Sequence, residues 1–194
     1  GIVGATLGTI LSLFVAYVIV KVKSKAAGVL ESLSFLSFSF PGIVIGIGFM
    51  WFFIKTPLYA TIWALLIGYI ATYLPYGIRP LTSAFVQIHR HLEESSAVCG
   101  ASLLTTMRRI VVPLLVPGIV SGWVLMATMF LRELSLSVVL SRPGTEVLAV
   151  QILRFSEDGL WGRLSSLGII MIFFSTLLVV AANLVGNHYK PAHN

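Results

Sequence analysis

The chemically active residues of this chain are few, and one pair of them lies inside an apolar run. Arg132 and Glu133 are adjacent charges there, where a charge costs about 2.5 to 3.5 kcal/mol and usually faces a cavity or a partner. Neighbouring helical positions point about 100° apart, so the two are not expected to pair with each other. We expect Glu133 to face a pathway for a cationic or metal-bearing solute. The alternative is that both charges are structural, snorkelling outward or bridging to another segment.

Sites for metal or covalent chemistry are not indicated elsewhere. His89 and His91 have the spacing of a metal pair, but no carboxylate–histidine set accompanies them, so a solvent-facing pair is expected. Cys99 is the single cysteine, which excludes an internal disulfide and a multi-cysteine metal site. Glu157 and Asp158 are expected to form a polar rim. Since the sequence also has no GxxxxGK[ST] segment and no HExxH, we expect no cofactor, and nucleotide hydrolysis by another protein.

The composition predicts a membrane protein. Hydrophobic residues make up 57% of the chain and charged residues 10%, with a mean hydropathy of +0.97, against about 25% charged residues in soluble domains. A bilayer core of about 30 Å needs about 20 apolar helical residues. Continuous runs of this length favour helices over barrel strands. The fold class expected is therefore an all-α, polytopic bundle of about five transmembrane helices in a single domain, 1–194, with spans at 2–20, 29–54, 58–78, 114–140 and 164–185.

The second of these runs is interrupted by Pro41 and Gly42, which follow a serine-rich stretch. Proline removes a helical hydrogen bond, and nearby serines can satisfy the freed carbonyls, so a bend is predicted. The bend makes Pro41 and Gly42 candidates for lining a gate or pathway. Gly42, Gly46 and Gly48 would let another helix approach closely; simple packing by small residues is the alternative.

Loop charges predict the orientation, because Lys and Arg prefer the cytoplasmic side. The N-terminus is expected outside and the C-terminus inside, and the net charge of +6 reflects this bias rather than binding to nucleic acid. The start of the chain in an apolar helix without Met suggests a fragment of a longer polypeptide. The residues placed on the cytoplasmic side are Lys21, Lys23, Lys25, Arg79, Arg90, Arg108, Arg109 and Lys190.

The longest cytoplasmic loop on this topology is 79–113. Apolar residues at helical spacing predict an amphipathic helix over 84–98, with polar residues such as Glu93 on its other faces. Gly100 fits a helix stop, Ser102 an N-cap for a second short helix, and Pro113 the start of the next span.

This polar segment resembles the "EAA" loop of ABC-importer permeases, written E-A-A, three residues, G, nine residues, I-x-L-P. The spacing matches throughout, and the departures are Ser95 and Ser96 in place of Ala and Val112 in place of Leu. Further on, FLRELSLSVVLSRPGTEVLAVQI looks like the C-terminal half of iron(III)-type permeases. The positions that carry the loop motif are Glu94, Ser95, Ser96, Gly100, Ile110, Val112 and Pro113.

The resemblance implies a MetI-like type I importer fold in a bacterial inner membrane, with 79–113 holding a coupling helix that docks on a cytoplasmic ATPase dimer. Glu94 would orient the loop, Gly100 would permit the bend, and Ala97 and Leu103 would fill the partner's cleft. Arg108 and Arg109 could pair with acidic groups of the ATPase, but the preference of basic residues for the cytoplasmic side is the better explanation for these two alone. The loop residues implied are Glu94, Ser95, Ser96, Ala97, Gly100, Ala101, Leu103, Ile110 and Pro113.

The other partners implied are a second permease half, an extracytoplasmic solute-binding protein and membrane lipid. Iron(III) is the first choice of solute, and 2-aminoethylphosphonate, thiamine or a polyamine are the alternatives. Two other classes of function stay open at this point: a membrane-embedded enzyme, which would need ionisable residues converging at one depth, and a structural or assembly subunit.

Overall fold

The structure, a computed structural model, describes residues 1–22 and 25–188, without the side chains of Arg90, Glu93, Leu103 and 185–188. Lys23 and Lys190, the Arg90 side chain and the cleft-filling Leu103 side chain of the sequence predictions lie outside the described residues. All regular structure in the described part is helical. The helices are α1 (Ile2–Lys21), α2 (Lys25–Phe35), α3 (Gly42–Phe53), α4 (Ile62–Gln87), α5 (Arg90–Val98), α6 (Leu103–Thr106), α7 (Val112–Arg132), α8 (Ser135–Leu140), α9 (Leu148–Glu157) and α10 (Trp161–His188), with a 3₁₀ turn at Leu36–Ser39 and a π-helical turn at Met107–Val111.

The predicted helical membrane bundle is confirmed. Within the described residues, three helices are long and apolar enough to cross a membrane, Ile2–Lys21, Leu104–Arg132 and Trp161–Leu184, or up to four if the bent pair of α2 and α3 counts as one span. The predicted third span corresponds to α4, which has 26 residues but is not among them. Its tyrosines, its two prolines and Arg79 lower its hydropathy.

The core lies between α1, α4 and α7, which cross at glycines. A Cβ on Gly122 of α7 would lie 3.2 Å from the carbonyl oxygen of Gly77 on α4, and a Cβ on Gly77 would overlap the Ser12 hydroxyl of α1. A Cβ on Gly4 of α1 would lie 2.8 Å from the ring of Phe130. The backbones of α4 and α7 therefore meet directly, and α1 packs closely on both helices through side chains, as small residues in membrane helices allow.

The second predicted span is bent by 109° between the Lys25–Ser39 stretch and α3, which confirms the bend at Pro41. Ser32 and Ser34 donate to carbonyls one turn earlier in α2, at 3.0 and 2.7 Å, rather than to those that Pro41 frees. The carbonyl of Ser37, which Pro41 cannot reach for want of an N–H, accepts the N–H of Phe40 at 3.4 Å.

The predicted helix over 84–98 is wrong as one element. The third membrane helix, α4, continues to Gln87, and the chain is extended at Ile88 before α5 begins. Phe85 and Ile88 are 3% and 7% exposed in a core with Val111. Because Ile88 keeps to the buried face of α4 while α5 is polar, the chain has to turn between them, which periodicity alone does not reveal.

The predicted fourth span, 114–140, is also corrected. Its helix, α7, ends at Arg132, and Glu133 and Leu134 form a break before the short α8. The last predicted span, 164–185, lies within α10, so that prediction is confirmed.

Candidate functional site

Gly100 ends α5 in the way its position in the motif predicts. Its φ is +78°, in the left-handed region that glycine adopts without strain. The N–H of Gly100 donates to the carbonyl of Ala97 at 2.9 Å, and the N–H of Ala101 donates to that of Ser96 at 3.1 Å. These two bonds form a Schellman motif, which satisfies the last carbonyls of a helix. The chain therefore reverses sharply at Gly100.

A pair of hydroxyls joins the two sides of this reversal. The Ser96 and Thr106 hydroxyl oxygens lie 2.8 Å apart, and Thr106, 7% exposed, also donates to the carbonyl of Ser102 at 3.2 Å. Ser102 accepts the N–H of Thr105 at 3.3 Å, so its predicted N-cap role is confirmed. Together α5 and α6 form a compact helical hairpin, named here the coupling hairpin (residues 90–106).

The outer face of the coupling hairpin is open to a partner. Ser95 and Ala97 are exposed. Glu94 Oε2 lies 3.2 Å from Nδ1 of His91, so His91 pairs with a carboxylate on its own helix rather than with His89. No group of three His, Cys, Asp or Glu side chains that could hold a metal ion occurs among the described residues.

The coupling hairpin continues directly into a membrane helix. From Leu104 to Arg132 the chain is one helix of 29 residues, interrupted only by the π-helical turn, where the N–H of Val112 donates to the carbonyl of Met107. Pro113 lies in the first turn of α7, as predicted, and Ile110 is partly buried one residue before the fully buried Val111. Since Pro113 has no N–H to donate one turn back, the wide turn before it accommodates the proline without ending the helix.

Glu133 occupies the break between α7 and α8, where it is 4% exposed. Its carboxylate accepts the N–H groups of Leu136 and Ser137, both at 2.9 Å, the Ser137 hydroxyl at 2.6 Å and the Tyr73 hydroxyl at 3.4 Å. The Ser137 hydroxyl also contacts that of Tyr69 on α4. A carboxylate at a helix N-terminus is stabilised by the free N–H groups and the helix dipole, so this buried charge is compensated by backbone and hydroxyl groups.

Arg132 takes no part in this arrangement. It is exposed at the end of α7, and none of the hydrogen bonds to Glu133 in the described part of the chain comes from it. The prediction that the two charges do not pair is confirmed.

The break at Pro41, before α3, lies against the break at Glu133, between α7 and α8. A Cβ on Gly42 would lie 3.1 Å from Ser135 Cβ and 3.9 Å from Glu133 Oε1, and one on Gly46 would lie 3.2 Å from the Cα of Leu136. These two glycines give α8 close access to α3, as predicted. A Cβ on Gly48 would meet nothing within 4 Å in the described part of the chain, so the prediction of a close helix contact there stays a prediction. Three of the four candidate pathway residues thus lie close together, namely Glu133, Gly42 and its neighbour Pro41.

Aromatic rings surround this junction, and sequence reasoning missed them. Ring centroids lie 5.9 Å apart for Tyr73 and Phe130, 5.8 Å for Tyr73 and Tyr76, and 5.2 Å for Phe38 and Tyr76. The signal in the sequence was the recurrence of Tyr69, Tyr73 and Tyr76 at helical spacing on one face of α4. The junction therefore combines one carboxylate, several hydroxyls and aromatic faces, a set of groups suited to a cation.

A second polar cluster lies in the loop after α8 and on α9. Arg142 donates to the Tyr59 hydroxyl at 2.6 Å, and Arg154 donates to Glu146 at 2.9 Å. Hydrogen bonds from the backbone N–H of Glu146 itself and from that of Gly144, together with the Arg154 guanidinium, lower the pKa of the Glu146 carboxyl. The two arginines line a cavity of about 250 Å³.

The chain is similar to known proteins along nearly its whole length. The family described as "Binding-protein-dependent transport system inner membrane component" matches residues 8–192. A "Spermidine/putrescine transport system permease protein PotC" of Haemophilus influenzae is 28% identical over 181 residues, covering 93% of this chain and 70% of the relative. A "Ferric transport system permease protein FbpB" of Actinobacillus pleuropneumoniae is 29% identical over 180 residues, covering 92% of this chain and 26% of the relative.

Solved structures share the fold at low identity. A subunit of an inward-facing MetNI methionine ABC transporter superposes with a TM-score of 0.69 at 15% identity, covering 98% of this chain and 95% of that one. A chain of a bacterial ABC transporter involved in the import of the polysaccharide alginate superposes with a TM-score of 0.71 at 17% identity, covering 98% and 79%.

Proposed function

Because this chain belongs to the family of binding-protein-dependent transport system inner membrane components, we propose that it forms half of the translocation pathway of an importer and couples it to ATP hydrolysis through the coupling hairpin. The chain is a permease subunit of an ABC importer, and the ATPase is a separate subunit. The membrane-embedded enzyme and the assembly subunit are thereby set aside.

The observation that carries the coupling role is the continuity between the coupling hairpin and the membrane. The hairpin ends in a single helix that runs from Leu104 to Arg132. The α5 part of the hairpin is exposed at Ser95 and Ala97 and reverses at Gly100. A force applied by a docked ATPase would therefore reach α7 through a helix with one wide turn, and packed helices transmit such displacements as rigid bodies.

The partners proposed are a cytoplasmic ATPase dimer, a second permease half and an extracytoplasmic solute-binding protein, in a bacterial inner membrane. Two observations support them. One is the family description itself; the other is the similarity to a bacterial alginate ABC transporter crystallised with its alginate-bound periplasmic protein, with a TM-score of 0.70 at 18% identity. Large exposed apolar side chains on α3 and α10, such as Trp51 and Phe173 at 75% and 62%, offer surface to lipid and to the second half.

For the solute we propose a cation, iron(III) as the first choice and a polyamine as the second. Relatives named for each are similar to this chain at 29% and 28% identity. The Glu133 carboxylate lies among the rings of Tyr73, Tyr76 and Phe130. A carboxylate and aromatic faces can both attract a cation, whether it is iron(III) or a polyamine. Uptake of radioactive iron(III) and of radioactive putrescine by cells with and without the complete importer would decide between them.

The coupling role is tested by ATP turnover of the reconstituted importer. We expect the parent to hydrolyse ATP faster when solute-loaded binding protein is present, and the Gly100→Asp variant to lose that stimulation. Equal turnover with and without solute for both proteins would contradict the proposed coupling.

The orientation is tested with the single cysteine of the chain. Cys99 is exposed beside Gly100, so a membrane-impermeant maleimide should label it in inside-out vesicles and not in intact cells. A photoactivatable cross-linker on Cys99 should then capture the ATPase subunit. Labelling of Cys99 in intact cells would place the coupling hairpin on the extracytoplasmic side and would contradict the proposal.

A further inference from the structure

We propose that Ser96 and Thr106 are positioning residues of the coupling hairpin, acting as a hydrogen-bonded clamp that fixes the angle between α5 and the helix entering the membrane. The inference rests on the proposed coupling function, because a fixed angle matters only if α5 receives a force. It concerns the two residues that join the helices rather than those that meet the ATPase.

The two hydroxyl groups of the clamp can each donate their proton to a different hydrogen bond. The Thr106 hydroxyl donates to the carbonyl of Ser102 at 3.2 Å, which leaves its oxygen free to accept the Ser96 hydroxyl at 2.8 Å. Thr106 is 7% exposed, so water competes poorly for this bond. On the other side, the carbonyl of Ser96 accepts the N–H of Ala101. Ser96 is therefore tied through its side chain to α6 and through its backbone to the reversal at Gly100.

Among the described side chains of the coupling hairpin, apolar packing of α5 is sparse. The chain is extended at Ile88 just before α5, and Gly100 adopts a conformation with positive φ just after it. Val98, the last residue of α5, is 89% exposed, and the described residues of α5 contribute nothing to either buried core cluster. With apolar packing this sparse, a hydroxyl pair decides which angle is populated.

The clamp also explains a residue that the motif leaves unexplained. Ser96 stands where the motif has Ala, and an alanine has no group to bond Thr106. The exposed Ser95, the other serine that replaces an alanine of the motif, has no such partner among the described residues. The polar substitution at position 96 therefore has a specific contact.

The first experiment measures the ratio of solute-stimulated to basal ATP turnover in the complete importer in nanodiscs. We expect Ser96→Ala and Thr106→Val each to lower the ratio by about two- to tenfold, the effect of one hydrogen bond on a population. The double variant should be no worse than Thr106→Val alone, because both changes break the same bond, and Ser96→Thr should restore the parent ratio. Ser32→Ala, which removes an exposed hydroxyl bonded within α2, is the matched control.

The second experiment separates failure of the clamp from failure of the coupling role. Spin labels on Cys99 and on Ser121→Cys, an exposed position of α7, report the angle in the chain without ATPase. We expect Ser96→Ala to broaden the distance distribution, and Ser32→Ala to leave it as in the parent. An unchanged distribution, or additive losses in the turnover ratio, would overturn the clamp. A parent importer without solute stimulation would instead overturn the coupling role.

Discussion

The carboxylate of Glu133 and the hydroxyl of Ser137 lie 2.6 Å apart on opposite sides of a helix break. The same carboxylate accepts the N–H of Ser137 at 2.9 Å, so this side chain caps the start of α8 directly after α7 ends. This accounts for a buried charge in an apolar environment without a cationic partner, since hydrogen bonds to the charged form offset much of its cost. A solute that took the carboxylate would have to release α8, which links the pathway proposed for Glu133 to a structural change.

Glu133→Gln should destabilise the folded protein by about 1 to 3 kcal/mol, because the amide –NH₂ replaces an acceptor that faces the donors of α8. Thermal unfolding in detergent measures the change. Arg132→Gln, at the exposed neighbour, is the control and should unfold as the parent does. Equal losses for both variants would contradict the role of Glu133 in joining the helices.

Gly100→Ala should weaken coupling, because a non-glycine residue in the left-handed region costs about 1 to 2 kcal/mol. No described atom lies within 4 Å of a Cβ at this position, so the expected cost is that of the backbone conformation. Gly100→Asn should keep more solute-stimulated ATP turnover than Gly100→Ala, since Asn tolerates this conformation.

Gly144→Ala is the matched control for that prediction. Gly144 has a φ of +93° and open space around it, but it lies in the loop after α8, far along the chain from the coupling hairpin. If its substitution reduced solute stimulation as much as Gly100→Ala does, backbone strain at the end of α5 would not be the cause.

Gly77→Ala should lower thermal stability by about 1 to 3 kcal/mol, the usual cost of an overpacked contact. Its Cβ would overlap the Ser12 hydroxyl and lie 2.8 Å from the sulfur of Met126. Gly48→Ala is the comparison, because its Cβ meets nothing and alanine favours the helix by about 1 kcal/mol. A lower unfolding temperature for Gly48→Ala than for Gly77→Ala would be inconsistent with the helix crossing described here.

The hydrogen bonds of Glu146 should make the loop between α8 and α9 sensitive to acid. The pKa of Glu146 is lowered in the folded state by backbone N–H groups and by Arg154, so its contribution to stability is present above the pKa of the unfolded chain and disappears as pH falls through the folded-state value. Limited proteolysis at residues 141–147 should therefore be faster for Glu146→Gln than for the parent at pH about 7. The two rates should converge as the pH falls below the folded-state pKa of Glu146; a difference that did not shrink on acidification would have another origin.

Local chemistry made much of the fold predictable. The bend at Pro41, the stop at Gly100 and the cap at Ser102 follow from the conformations and hydrogen bonds of single residues, and each is found. The breaks at Ile88 and Glu133 were missed because they depend on distant partners. Ile88 stays with α4 because it is buried in one core cluster with Val111. Glu133 leaves the α7 helix because its carboxylate accepts hydrogen bonds from the N–H groups of α8 and from the hydroxyl of Tyr73. The meeting of Gly42 and Glu133, 91 positions apart in the numbering of the chain, likewise requires the tertiary structure.

The glycine crossing of α1, α4 and α7 has a mechanical consequence. The backbones of α4 and α7 meet directly at Gly77 and Gly122, and α1 packs on both helices through side chains, so sliding of these three helices past one another is sterically restricted. A displacement of the coupling hairpin would then move α1, α4 and α7 together as one rigid body. We expect the alternation between the two faces of the membrane to combine this movement with a rearrangement of α3 and α8, which are separated from their neighbouring helices by a bend and a break.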